Sequence, residues 1–199
     1  MNHVILGITG ASGGPYARRL AQCLTERDLH LHVVVSPFGR ELLAQEAGIQ
    51  KLTPDALAPQ HPERITIHKH NDVGAPIASG SFLTHGMIIC PCSSHTLAAV
   101  ATGLGDNLIT RAAMVTLKES RRLVVVPREA PLGLIEIENM ARLARAGALI
   151  CPASPGFYLH PKTIDDLVDF VVGRVLDLLG LEHELDTRWD PSRHRGAPK

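Results

Sequence analysis

Aromatic side chains are scarce in this sequence: Phe, Trp and Tyr make up 4% of its 199 residues. Proteins that grip single-stranded nucleic acid stack bases on such rings along a cationic groove. The groove is missing as well, because 20 Lys and Arg are balanced by 20 Asp and Glu. Nucleic acid is therefore excluded as the expected partner. Long hydrophobic runs are absent too. No stretch approaches the roughly 18 to 20 apolar residues that a bilayer span needs. The opening MNHVILGITGASGG is only briefly apolar and has no basic leader, so it reads as a first strand and not a signal. A soluble, cytoplasmic protein with no membrane partner is expected.

Cysteine is also sparse, and its placement excludes more than its number. Cys90 and Cys92 form C-P-C, tighter than the two-residue gap of a zinc knuckle, and no second C-x-x-C or H-x-x-x-H follows. Cys90 and Cys151 each end an apolar run just before a proline, as small buried thiols do. Neither disulfides nor a metal site is expected. The 11 histidines show no ligand pattern; His68 and His70 alternate in RITIHKHND as on a surface strand.

What the chain does have is an alternation of apolar runs and polar turns, densest over residues 86–129. The runs 87–90 and 123–126 are β-branched and continuous, as in central strands of a parallel sheet covered on both faces. Between them a helical stretch carries Arg111 and Lys118 seven residues apart. That is about two turns, which places both cations on one face roughly 10 Å apart along the axis.

The remainder extends this pattern. Residues 4–8 form a buried strand, followed by Thr9-Gly10-Ala11-Ser12-Gly13-Gly14 and a helix over about 15–26. A glycine turn between strand and helix start suits a phosphate, because free N–H groups and the helix dipole meet there. Its spacing is G-x-x-G-x-x-G rather than G-x-G-x-x-G, which favours a mononucleotide over a dinucleotide, with a plain tight turn still open. A strand at 31–35 ends at Ser36-Pro37, and a helix over about 39–46 places Glu46 near its far end. Residues 48–65 read as a surface loop with one short helical turn. The small-residue run 71–81 reads as linker or as a loop admitting a flat ligand close to the backbone. A helix at 131–144, a strand at 148–151 and a long amphipathic helix ending at 179 follow. One domain is expected over 1–181, with a charged arm at 182–199 that holds the single Trp and lies on a neighbour or is partly disordered.

The fold expected is α/β, an open parallel sheet with helices on both faces. In such a sheet every turn that follows a strand lies at the carboxyl edge, where ligands bind. The glycine turn, Ser36, Ser93-Ser94-His95-Thr96, Arg128-Glu129 and Phe157-Tyr158 therefore face one crevice. Hydroxyls beside helix starts suit a phosphate ester, although helix capping alone accounts for at least one serine. Arg111, Lys118, Arg128 and Arg174 exceed the needs of one monophosphate, so two phosphates are the simpler account.

Several blocks together carry a resemblance: GITGASG at 7–13, CPCSSHTLAAVATG at 90–103, DNLITRAAMVTLKE at 106–119, VPREAPL at 126–132, ENM at 138–140 and PGFYLHPKTIDDLVDFVVGRVLD at 155–177. The chain resembles the UbiX-type flavin prenyltransferases from residue 4 to about 181. The resemblance implies a flavodoxin-like or Rossmann-like three-layer α/β subunit, often of a homo-dodecamer, that binds reduced FMN and attaches the dimethylallyl group of dimethylallyl monophosphate. The product, prenylated FMN, serves UbiD-type decarboxylases. Matched by position, Gly10, Ala11, Ser12, Ser36, Ser93, Ser94, His95, Thr96 and Arg128 are implied to hold FMN. Arg111, Lys118, Arg128, Tyr158 and Arg174, with Glu46 and Glu129, are implied around the prenyl phosphate, and Glu129, Ser12 and Glu46 take the catalytic roles. Pro37 departs from the family, which commonly has lysine there, and removes a cation and an N–H; His95 stands at a variable position.

The implied set is chemically coherent. Cleaving an allylic C–O bond to phosphate develops negative charge on the leaving oxygens, which Arg, Lys and Tyr donors stabilise without a metal. Ring closure at flavin C6 releases a proton, for which Glu129 is the candidate acid/base; a helix-start Glu favoured by the dipole is the plainer alternative. Tyr158 precedes the last helix while Arg174 lies about 11 residues into it, roughly 16 Å on, so a neighbouring subunit is expected to complete the site. Two rivals remain: a flavin-dependent cysteine decarboxylase, whose asparagine-containing substrate motif is not found, and an FMN carrier without catalysis.

Overall fold

The computed structural model describes residues 2–188; Trp189 and the rest of the expected arm lie outside the described residues. In chain order the elements are β1 (His3–Ile8), α1 (Gly14–Thr25), β2 (His30–Val35), α2 (Pro37–Ala47), the single turn α3 (Pro54–Leu57), β3 (Ile65–His68), β4 (Gly86–Cys92), α4 (Ser94–Thr102), α5 (Leu108–Lys118), β5 (Arg122–Pro127), α6 (Leu134–Arg145), β6 (Leu149–Ile150) and α7 (Ile164–Leu179). The six strands are all parallel, in the order β3-β2-β1-β4-β5-β6. That order reverses direction between β1 and β4, which places the switch-point crevice at their carboxyl ends.

Alternation along each strand feeds two cores. Val4, Leu6, Ile8, Ile88, Val124 and Val126 pack against α1 and α7 on one face. Ile5, Val34, Met87, Ile89, Leu123 and Val125 pack against α4 and α5 on the other. Both faces are covered, and this is why the strands read as unbroken apolar runs and not as alternating ones. The three-layer open parallel sheet is as expected from the sequence.

The differences have simple causes. β4 runs past its proline, including Pro91 and ending at Cys92, whereas β5 ends on Pro127, and the β4–β5 register shifts between Ile89 and Cys92. The stretch between them is two helices, not one. Residues 48–65 are more than a surface loop, because Ile49, Leu57 and Ala58 are buried in the α1/α7 core. His68 ends β3 half-buried and bonded to His32, and His70 falls outside the strand, so the two histidines do not alternate on an exposed surface. Residues 182–188 fold back onto the chain's own last helix: the His183 side chain is fully buried and Leu185 packs on the core. All four cysteines are free thiols. Burial pushes the Cys23 pKa up to about 11 and that of Cys92 to about 12, so both stay protonated at neutral pH. No described helix is long and apolar enough to cross a membrane.

Candidate active site

The crevice is built where β1 and β4 diverge, and the residue that ties its two walls together is Thr9. Its hydroxyl donates to Pro91 O at 2.8 Å and accepts the Ser93 N–H at 2.8 Å, and Thr9 N–H reaches Pro91 O at 3.2 Å. Thr9 is buried, so these bonds are sheltered from water and fix the glycine turn against the Ser93 turn. Sequence reasoning passed over Thr9. The available signal was a hydroxyl residue placed directly between a fully apolar strand and the glycine turn.

The glycine turn differs in detail from a phosphate cradle. Gly13 has φ 137°, a conformation that side chains disfavour, and serves as the N-cap of α1. The N–H groups of Gly13 and Gly14 both donate to Glu46 Oε2 at 2.8 Å. The helix start thus already holds an anion, and it is a carboxylate of the protein. Burial raises the Glu46 pKa, but the two N–H groups, the Ser12 hydroxyl and the Arg128 charge outweigh it and hold the carboxyl below its ordinary range. Glu46 is therefore a fixed negative charge beside Ser12 at neutral pH.

The next two turns use their serines as caps. Ser36 Oγ accepts from Gly39 N at 3.1 Å at the head of α2, and Ser93 Oγ accepts from Thr96 N at 3.3 Å at the head of α4. Ser93 also donates to Thr96 Oγ1 at 3.2 Å. Capping thus occupies Ser36 and Ser93, while Ser94 points across the crevice and donates to Glu129 Oε2 at 3.0 Å. The other Glu129 oxygen accepts Ala130 N at 3.3 Å. Arg128 N–H bonds Cys92 O at 3.3 Å, joining the β5 turn to β4, yet its side-chain Nε is buried without a hydrogen-bond partner. A buried guanidinium N–H left unpaired is costly, and in a cluster of hydroxyls and carboxylates it is the donor most in need of a ligand.

One chain therefore brings Gly10, Ala11, Ser12, Ser36, Glu46, Ser93, Ser94, His95, Thr96, Arg128 and Glu129 to the carboxyl edges of β1, β2, β4 and β5. His95 is exposed on the first turn of α4. Arg111 is exposed one turn into α5, whose start is tied to the end of the β3 loop by Leu108 N–H to His70 O at 2.8 Å. Lys118 is not brought along. It ends α5 just ahead of β5, at the amino edge of the sheet, where its ammonium meets Glu119 at 3.4 Å. Tyr158 and Arg174 lie nearer one another than their spacing suggests. The segment after β6 doubles back so that Tyr158 packs edge-on against Phe170 at 5.7 Å, one helical turn before Arg174. Phe38 is another residue the sequence reading missed: at the head of α2 it is 69% exposed and so close to Gly10 that any side chain there would collide with it.

The donor set suits an anionic ligand: helix starts at α2 and α4, hydroxyls, and a guanidinium with an unused N–H. Among the described residues no group of three or more His, Cys, Asp or Glu side chains could hold a metal ion.

The model of the Flavoprotein family matches residues 1–176. A flavin prenyltransferase UbiX of Halalkalibacterium halodurans is 49% identical over 192 residues, covering 94% of this chain and 93% of the relative. Among solved structures, AnUbiX (PadA1) in complex with FMN and dimethylallyl pyrophosphate superposes with a TM-score of 0.86 at 39% identity, covering 95% of this chain and 97% of that one. A dodecameric FMN-dependent UbiX-like decarboxylase from Escherichia coli O157:H7 gives 0.85 at 43% identity, covering 94% and 99%.

Proposed function

The chain belongs to the UbiX-type flavin prenyltransferases of the Flavoprotein family, and from this premise we propose what it joins and which residues do the work. The substrates are reduced FMN and dimethylallyl monophosphate; the products are prenylated FMN and phosphate. The flavin supplies the nucleophilic positions, N5 and then C6, while the allylic C–O bond breaks and phosphate leaves. The observation that carries this reading is the buried, unpartnered Nε of Arg128, whose charge acts on Glu46, a donor arranged for a ligand that the described residues do not provide.

The chain's own residues then divide the task. Gly10, Ala11, Ser12, Ser36, Ser93, Ser94, His95, Thr96 and Arg128 bind and orient the flavin. Glu46, ionised by its two backbone N–H donors, keeps Ser12 and the glycine turn in place and serves with Ser12 at the reacting edge. Arg111, Lys118, Arg128, Tyr158 and Arg174 neutralise the departing phosphate, a role that asks for preorganised donors in a water-poor site. Glu129, aimed by Ser94, accepts the proton lost on ring closure.

Lys118 sits far from the rim of its own chain, so a second subunit must deliver it if it meets the phosphate. The surface of α6 supports assembly: Leu134 and Ile135 are 70% and 71% exposed, an apolar face that the described residues leave uncovered. We read the working form as a homo-dodecamer of single-domain subunits in the cytoplasm, handing its product to a UbiD-type decarboxylase. Anaerobic incubation with reduced FMN and dimethylallyl monophosphate tests the reaction. A flavin gaining one five-carbon unit per phosphate released is expected. An unchanged flavin that still binds would mean a carrier, and turnover of a peptidyl or pantothenoyl cysteine instead would mean a cysteine decarboxylase.

A further inference from the structure

We propose that Arg188 and Asp177 are positioning residues for Arg174, so that docking of the segment 182–188 on α7 tunes the affinity for the donor phosphate. The inference rests on the reading above in that Arg174 is taken as a ligand of that phosphate. Arg174 and Asp177 lie three residues apart on α7, and Arg174 Nη1 meets Asp177 Oδ2 at 3.2 Å. The other carboxylate oxygen belongs to the C-terminal segment: Oδ1 accepts from Arg188 Nη2 at 2.8 Å and Nε at 3.3 Å, and His183 Nε2 stands 3.3 Å away. Asp177 is 21% exposed, against 50% for Arg174 and 57% for Arg188. One half-buried carboxylate is thus shared between Arg174, assigned to substrate, and Arg188 from another part of the chain, with His183 close by.

The segment reaches Asp177 because α7 has no side chain where the two meet. Gly173, next to Arg174, lies against Thr187 Oγ1 and His183 Cε1, and an added Cβ would collide with the first and crowd the second. Arg27 Nε holds the start of the segment through Glu182 O at 2.7 Å. The physical consequence is a competition for charge. Arg188 makes two contacts to Asp177 and Arg174 makes one, so the docked segment absorbs most of the carboxylate's attraction. Arg174 is then available to a phosphate. With Arg188 gone, Asp177 turns to Arg174 alone, and a phosphate must displace it.

The test is a kinetic cycle on the full chain, reading kcat, KM for dimethylallyl monophosphate, FMN affinity and melting temperature. Arg188→Ala should raise that KM about threefold to fivefold, the scale of a partly exposed ion pair, with kcat and FMN affinity unchanged. Gly173→Ala should do the same without altering any charge, and Arg188→Lys should recover part of the loss. In an Asp177→Asn background Arg188→Ala should have less than about a twofold effect, because the competitor is gone. An Arg188→Ala enzyme with a lower melting temperature but unaltered KM, or one whose KM change persists in Asp177→Asn, overturns the proposal. Arg174→Ala separates the two levels: a raised KM there with a flat Arg188→Ala overturns the coupling alone, whereas an unchanged KM in Arg174→Ala overturns the assignment of Arg174 and the coupling with it.

Discussion

Two polar clusters sit on the same apolar sheet and end in opposite conditions. One is a diagonal of imidazoles crossing β1, β2 and β3: His3 Nδ1 meets His32 Nε2 at 3.0 Å, His32 Nδ1 meets His68 Nε2 at 2.9 Å, and His30 Nε2 meets Thr66 Oγ1 at 2.7 Å. Phe82 packs over His3 and His32 with ring centres 5.0 and 5.2 Å away. Both nitrogens of the central ring are used, so the diagonal is closed on itself. The other cluster is the carboxyl rim, where the pairing stops one donor short at Arg128 Nε and leaves Glu129 and Ser94 within reach of solvent. A buried polar group that finds its partner inside the chain stabilises structure, whereas one left over at a sheet edge marks a ligand.

Changing each cluster should therefore give different kinds of effect. The largest belongs to the rim: Glu129→Gln should keep FMN binding and slow prenyl transfer by about 100-fold, the usual scale of lost acid/base help, measured by phosphate release. Glu129 lies in the turn after β5, five residues ahead of α6, and not at a helix start as the plainer alternative had it, so wild-type turnover would make it a surface charge of that turn and remove the contrast. The histidine diagonal should instead appear in stability. Burial first, then the neighbouring imidazoles, pushes the His32 pKa from 6.5 to about 3, so below pH 6.5 the unfolded chain takes up a proton that the folded one refuses. Stability should fall on acidification, by about 2 kcal/mol for this ring between pH 7 and pH 5. His32→Phe should flatten that part of the denaturation profile, and an equally steep profile in the variant would sink the assignment.

Smaller effects sharpen the boundary between the clusters. Thr9→Val keeps the shape but leaves the Ser93 N–H unpaired, and should cost about 1.5 kcal/mol in urea denaturation while weakening FMN binding, because Thr9 belongs to both structure and site. Lys118→Ala should raise KM for the prenyl phosphate about threefold and leave FMN affinity alone. An unchanged KM would make Lys118 a surface charge of the amino edge and nothing more.

The fold was legible because burial on both faces writes itself into a parallel sheet as continuous runs such as VILGI and LVVV, each stopped by a polar turn. The rim followed from strand direction alone, which is why Ser12, Ser94, Arg128 and Glu129 could be grouped before any coordinates. Contacts between distant segments were not legible. Glu46 reaching back to the Gly13 and Gly14 N–H groups, Tyr158 folding onto Phe170, and the segment 182–188 docking beside Gly173 depend on how helices pack, which no local period records. His32 was hidden for a similar reason: its partners lie on neighbouring strands, and only register brings them together.

The central claim, that the leftover donor at the rim is satisfied by a flavin, is tested most directly by a crystal structure of the protein soaked with FMN. The account requires the flavin between the glycine turn and the Ser93–Thr96 turn, with one of its polar atoms about 3 Å from Arg128 Nε. A flavin bound elsewhere, with that N–H still unpaired, would contradict it.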